Sequence, residues 1–395
     1  MNTHTQNKPS YVMTAYLLIL VALGYIATDI YLPSLPALTT YFNATENMVQ
    51  MTLFSYMISF ALVPLIFGPL SDHFGRKRII LLGIFIASLA TIGCLFAGDI
   101  YSMIGFRFAQ GIGTGAVIIC SRAMLSDLYT GKVLAKQISY VTMFIPLVLA
   151  IAPTIGGVLQ QEFGWSSVFI FLFCLMVGIF AWVLGRPETL KATSDKKISQ
   201  VFSNYGLHIR NPLFFYQIMF VFPTIGLYAY LTTSPFLFQE TIGLSPIEYG
   251  GLSIYIGATI MSTSFINTKL VHHFKIETLL LVGSIMILLS GLLLLLFHMM
   301  GILTTWSVIV PVMVFFTSIP LCIANSSSKA MGSVHSHFGS ATALLSTLQF
   351  LSGAIGSFIF SNIEDNTALP LAICFILMGV LSVLHQIFSP KLQRN

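Results

Sequence analysis

The chain has 395 residues, of which 56% are hydrophobic and only 8% charged, a balance that excludes a soluble globular fold, where about 25% of residues are charged. The net charge of +5 comes with no basic face interleaved with aromatic residues outside the apolar runs, which excludes a nucleic-acid partner. Those runs are continuous over about 20 residues instead of alternating, so they predict membrane-spanning helices with the lipid bilayer as their surroundings.

Residues 1–13 form a polar tail without the small-residue cleavage pattern of a signal peptide. Twelve spans are then predicted, at 14–36, 48–70, 79–97, 100–125, 133–160 and 165–184, and at 213–236, 246–267, 278–297, 306–327, 340–361 and 369–388. This gives an all-α integral membrane fold: a six-helix bundle over 14–190, a polar linker over 191–210, a second bundle over 211–388 and a tail over 389–395.

The first span carries Asp29, and burying a carboxylate there costs about 2.5 to 3.5 kcal/mol on insertion scales, which makes it a functional candidate. Pro33, four residues on, removes the helical hydrogen bond to the Asp29 carbonyl and loosens the helix at that depth. Between the second and third spans lies Gly68-Pro69-Leu70-Ser71-Asp72-His73-Phe74-Gly75-Arg76-Lys77-Arg78, a tight basic turn. Asp72 faces the negative end of its own helix and needs a compensating partner, which Arg76 one turn on supplies.

The fourth span carries Arg107. At about 1.5 Å per residue, Asp29 lies ~22 Å along the first helix and Arg107 ~10 Å inward from the other face, so in a core ~30 Å thick the two depths coincide and a pair is expected. Gln110 sits on the same face one turn later, where it either joins this network or packs between helices. Arg122 and Asp127, near the end of the same span, read as a structural pair, shared with Arg76. The fifth span holds Pro146, Pro153, Gly156 and Gly157, which permit a kink and close helix contact. Tyr25, Tyr228, Tyr230 and Phe236 are the cavity candidates, with Met57 and Met143 as adaptable fillers.

Charge predicts the orientation. Apart from Arg107 and Arg122 on the fourth span, every Lys and Arg falls in loops on one side, whereas Glu46, Asp99, Glu162, Glu240, Glu248, Glu364 and Asp365 fall on the other. The basic side, with both termini, is therefore expected to be cytoplasmic. At an offset of ~200 residues the halves correspond: Ser121-Arg122 with Ser328-Lys329, Ile155-Gly156 with Ile355-Gly356, and Asp72 with His272. Such a repeat implies a central cavity between two bundles, and a single copy of the chain holds both halves, so a monomer is expected. The five cysteines all lie in apolar runs without metal-site or disulfide spacing, and neither His272 with His273 nor His335 with His337 has a carboxylate or cysteine at ligand spacing, so no metal is expected. No Gly-rich phosphate loop is present, which argues against ATP-driven transport, and since these histidines lack ligand spacing no enzyme is expected.

The loop over Gly68 to Arg78 resembles the signature that joins the second and third helices in the major facilitator superfamily. The likeness implies a hinge between the two halves, with Asp72, Gly75 and Arg76 as its main positions. Tyr25-Ile26-Ala27-Thr28-Asp29-Ile30-Tyr31-Leu32-Pro33 is similar to the first helix of that superfamily's drug:proton antiporter branch, particularly the bicyclomycin-resistance (Bcr/CflA) family. Arg107-Phe108-Ala109-Gln110-Gly111 matches the branch's fourth-helix motif, and Ala152-Pro153-Thr154-Ile155-Gly156-Gly157 its fifth-helix antiporter motif. One departure stands out: where some relatives carry a second carboxylate on the first helix, this chain has Val21.

The resemblance implies a proton-coupled exporter of drugs or other small amphipathic molecules in a bacterial inner membrane, with protons as coupling ion and no other cofactor. On this reading Asp29 exchanges proton for substrate while Arg107 holds the carboxylate: burial opposes its charge and the guanidinium supports it, so a change in hydration or distance switches the proton. A dedicated exporter of one metabolite, such as a siderophore or peptide, is the alternative within transport, and a non-transporting membrane sensor the alternative outside it.

Overall fold

The computed structural model describes residues 11–190, 205–334, 338–363 and 367–392, and every regular element among them is a helix. Helix α1 (Tyr11–Asp29) stops at Asp29. Pro33 has no N–H to offer the Asp29 carbonyl, and the chain passes through a tight turn at Leu32–Ser34 before α2 (Leu35–Phe42) resumes the crossing. Helix α3 (Glu46–Phe74) is capped by Thr45, whose hydroxyl accepts the Met48 amide, and α4 (Arg76–Leu95) follows after Gly75 alone. Helix α5 (Ile100–Leu128) opens on a reciprocal cap between Asp99 and Ser102, and α6 (Gly131–Phe163) and α7 (Trp165–Leu184) complete the first half.

After a helical turn at residues 205–210 come α8 (Pro212–Ile218) and α9 (Phe222–Phe236). The sequence predicts one span there; Pro223 withholds a donor from the Met219 carbonyl and divides it. Helix α10 (Pro246–Leu270) begins with a Ser245–Glu248 capping box, followed by α11 (Ile276–Met299). Helices α12 (Thr305–Ile319) and α13 (Asn325–Gly332) join through a wide π turn starting at Pro320, and α14 (Phe338–Phe360) and α15 (Leu369–Leu392) close the chain. Among the described residues eleven helical stretches are long and apolar enough to cross a membrane. The twelfth crossing is α10, whose 25 residues extend about 37 Å and lie along α6. Most of the linker, at 191–204, lies outside the described residues, as do residues 1–10 and 393–395 of the tails, Glu364, Asp365, His335 and His337.

The helices bury one stripe and leave another apolar. On α11, Leu280, Ser284, Ile287, Gly291 and Leu294 face neighbours, while Leu281, Ile285, Leu289, Leu292 and Leu296 are exposed along the opposite side. A helix apolar all round with half of it uncovered suits lipid as the outer solvent. Within the first half α5 packs against α3 and α4; within the second, α11 packs against α12 and α15.

The ends carrying Glu46, Asp99, Glu162 and Glu248 define an acidic face, and those carrying Arg76, Lys77 and Arg78 a basic face. Toward the acidic face the halves touch through α6 and α10. The Thr154 hydroxyl donates to the Gly250 carbonyl (3.0 Å), and the Ile247 amide donates to Gln161 Oε1 (3.3 Å). Helices α3 and α14 also meet, with Phe54 on Phe358 and Phe60 edge-on to Phe350 at 4.7 Å.

Candidate functional site

Asp29 is 3% exposed at the last residue of α1. Its Oδ2 is buried without a hydrogen-bond partner. The carboxyl lies within electrostatic reach of Tyr56 on α3, Tyr228 on α9 and Tyr249 on α10, which belong to both halves of the chain. Helix α6 fixes this break in place. Gly156 packs on the Ile30 carbonyl and Gly157 on the Pro246 carbonyl, so the Pro153–Gly157 stretch is clamped between the α1 break and the start of α10.

Arg107 is fully buried on α5. Its Nη1 donates to the Ala27 carbonyl (3.1 Å) and to Gln110 Oε1 (2.5 Å), and Gln110 in turn donates to the Thr91 hydroxyl (2.8 Å). The guanidinium lies between two aromatic faces, 4.4 Å from the Tyr31 ring centroid and 4.5 Å from that of Tyr56. Desolvated contacts of this kind contribute about 2 kcal/mol. Both rings are themselves held, Tyr31 by Thr52 (2.8 Å) and Tyr56 by Thr114 (2.6 Å) and the Gly24 carbonyl (3.0 Å).

The expected contact between Asp29 and Arg107 is not made: no ion pair joins them among the described residues. The reason is local. The chain leaves helical geometry after Asp29, and Tyr31 covers one face of the guanidinium. Nη1 takes up the Ala27 carbonyl, while Nε and Nη2 stay buried without partners. Gln110 joins the polar network, one of the two readings its position allowed.

At the basic face Arg76 holds two carboxylates, Asp72 at 2.5 Å and Asp127 at 2.9 Å, and donates to the Ser71 hydroxyl. The partner expected for Asp72 is therefore present. The pairing expected between Arg122 and Asp127 is not: Asp127 is taken by Arg76, and Arg122 Nη2 donates to the Tyr25 hydroxyl (3.1 Å). Gly75 adopts φ +94°, and a side chain on it would run into the Glu188 carboxylate. That carboxylate accepts the backbone N–H groups of Arg76 (3.1 Å) and Lys77 (3.0 Å), closing the start of α4 from 111 residues away in sequence. Gly68 has no neighbour that requires a glycine.

Of the cavity candidates, Tyr25 and Tyr228 lie within electrostatic reach of each other across the two halves. Tyr230 packs edge-on to Phe316 of the second half, and Phe236 is buried in a core cluster that draws residues from both halves. Met57 is buried and Met143 exposed. No site role for Tyr31, Tyr56, Tyr249 or Glu188 follows from the sequence reading. The intramembrane charge at Arg107 was a signal for the two tyrosines that cover it, since a buried guanidinium needs aromatic faces or acceptors at its depth.

The family model for the Major Facilitator Superfamily matches residues 17–357. Among curated relatives, a bicyclomycin resistance protein homolog from Haemophilus influenzae is 28% identical over 97% of each chain. Multidrug resistance protein D of Escherichia coli is 28% identical over 93% of each. A partially occluded, inward-open structure of the xylose transporter XylE from E. coli superposes with a TM-score of 0.73 at 13% identity, covering 96% of this chain and 97% of that one. A likeness at that identity reports the shared fold.

Proposed function

The chain belongs to the Major Facilitator Superfamily, and on that premise we propose that it is a proton-coupled antiporter exporting drugs or similar small amphipathic molecules across a bacterial inner membrane. Relatives named for bicyclomycin and multidrug resistance support that substrate class. The one-sided distribution of Lys and Arg supports a cytoplasmic basic face and cytoplasmic termini. One copy of the chain supplies both halves of the pathway, and a monomer is the working unit.

The observation that carries the reading is the carboxyl of Asp29: buried at a helix break, unpartnered at Oδ2, and within electrostatic reach of tyrosines from both halves. A charge so placed with no cation in contact is costly, whereas a neutral carboxyl is tolerated. We therefore assign the proton-loaded form to this state, in which the halves are closed toward the acidic face. Moving the halves apart there loads Asp29 with a proton from outside, and hydration from the basic face lets that proton leave to the cytoplasm. Substrate entering from the basic face then competes with the proton for the same carboxylate. Arg107, held by Tyr31, Tyr56 and Ala27, serves on this reading as a fixed positive field near the site and not as the carboxylate's clamp.

The test is substrate-driven proton release from the purified transporter in detergent, with a panel of antibiotics and dyes, for wild type and Asp29→Asn. Release by several unrelated compounds, abolished in the variant, is expected. Undiminished release by Asp29→Asn would move the proton site elsewhere, and release by a single metabolite alone would replace the polyspecific exporter by a dedicated one.

A further inference from the structure

The proposed cycle uses the carboxylate of Asp29 and leaves a second charge near the same space unused. Arg122 is half-buried on α5, has no carboxylate within ion-pair distance among the described residues, and has the Tyr25 hydroxyl as its hydrogen-bond partner. Its counterpart in the second half, Lys329, is paired with Glu277 at 2.8 Å. Asp127, the acid nearest to Arg122 in sequence, is occupied by Arg76. A half-buried cation whose neighbouring acids are absent or taken is a site short of one anion.

The local geometry supplies more than a charge. Arg122 donates to the oxygen of Tyr25, so the Tyr25 O–H keeps its own proton for another acceptor. A guanidinium N–H and a phenolic O–H are thus presented side by side, a two-donor set that suits an oxyanion. Tyr25 stands one helical turn from Asp29 on α1 and packs, partly buried, against a core cluster that includes Tyr228 and Ala354 of the second half, so this pair sits where the two halves meet.

We propose that Arg122 and Tyr25 form an oxyanion subsite that takes the carboxylate or other acidic group of the transported molecule, next to the Asp29 site. The inference rests on the exporter reading for its ligand's source, and it narrows the substrate class to amphipathic molecules that carry an acidic group. The same chemistry would also hold the phosphate of an anionic lipid, and the experiment separates the two.

Purified protein in uncharged detergent is treated with phenylglyoxal, and modification of Arg122 is followed by peptide mass spectrometry with naphthoate, its amide, or phosphatidylglycerol added. The expected result is modification that naphthoate slows about tenfold more than the amide does, the size of one charge-assisted hydrogen bond. Tyr25→Phe should lower that preference several-fold. Three results would overturn the proposal: an Arg122 that phenylglyoxal does not reach, equal effects of naphthoate and its amide, or protection by phosphatidylglycerol alone, which would make it a lipid site. The readout needs neither protons nor transport, so loss of proton-coupled export would leave it intact and would bear only on the exporter reading.

Discussion

Gly156 of α6 lies directly against the backbone carbonyl of Ile30, at the point where α1 ceases to be helical. The contact ties the residue after Asp29 to the helix that also closes on α10. Any side chain at 156 must push α6 away from the break. Gly156→Ala is therefore expected to cost about 1–3 kcal/mol through overpacking and to reduce transport, whereas Gly178→Ala on α7, with open space around it, should stay within about 1 kcal/mol of wild type. Thermal unfolding of both variants in detergent checks this. Equal stability of the two would mean that α6 does not depend on the close approach.

Asp29 and Arg107 share a depth but not a bond, and that separation is measurable. In a double-mutant cycle on stability, Asp29→Asn and Arg107→Gln should couple by less than about 1 kcal/mol, since no ion pair joins them and only the neighbouring Tyr56 is common to both. Tyr56→Leu with Arg107→Gln should instead couple by about 1–2 kcal/mol, because the ring at 4.5 Å and the guanidinium act together. A strong coupling in the first cycle would return the carboxylate to the arginine.

The break in α1 was legible because its cause is local: a proline four residues after Asp29 has only one effect on a helix. The tight turn at Gly75 was legible for the same reason, and so was the Asp72–Arg76 pair at one-turn spacing. What the sequence hid are choices among partners. Arg107 had several carbonyls, an amide and two rings at its depth, and the packing of α1, α3 and α5 decided among them. Asp127 had two arginines within reach, and the direction of Arg122 along α5 gave it to Arg76. Tyr230 and Phe236 look like cavity residues by type, yet both are closed in by packing, Tyr230 against Phe316.

The two carboxylates on Arg76 are not equivalent. Asp127 is 18% exposed and Asp72 47%. Solvent screens the second pair, which is worth about 1 kcal/mol or less, while removing the first leaves a guanidinium that is 8% exposed with a lost partner, at about 1–3 kcal/mol. Asp127→Asn is thus expected to lower the unfolding temperature clearly more than Asp72→Asn. The reverse order would assign the main restraint on this loop to Asp72.

Glu188 carries the last prediction. Its two carboxylate oxygens take the backbone N–H groups of Arg76 and Lys77, and Oε1 also accepts the amides of Thr189 and Leu190, so one side chain joins the end of the first half to the start of α4. These are orphan donors of a helix N-terminus, and a negative charge there also meets the positive end of the helix dipole. Glu188→Ala should cost about 1 kcal/mol, in the range of a lost helix cap, and speed hydrogen exchange at the Arg76 and Lys77 amides by roughly fivefold, the factor that 1 kcal/mol represents. Glu188→Gln, which keeps an acceptor and loses the charge, should fall between. If exchange at Arg76 and Lys77 is unchanged in Glu188→Ala, then water replaces the carboxylate at no cost, and the turn is held by Gly75 and the Arg76 ion pairs alone.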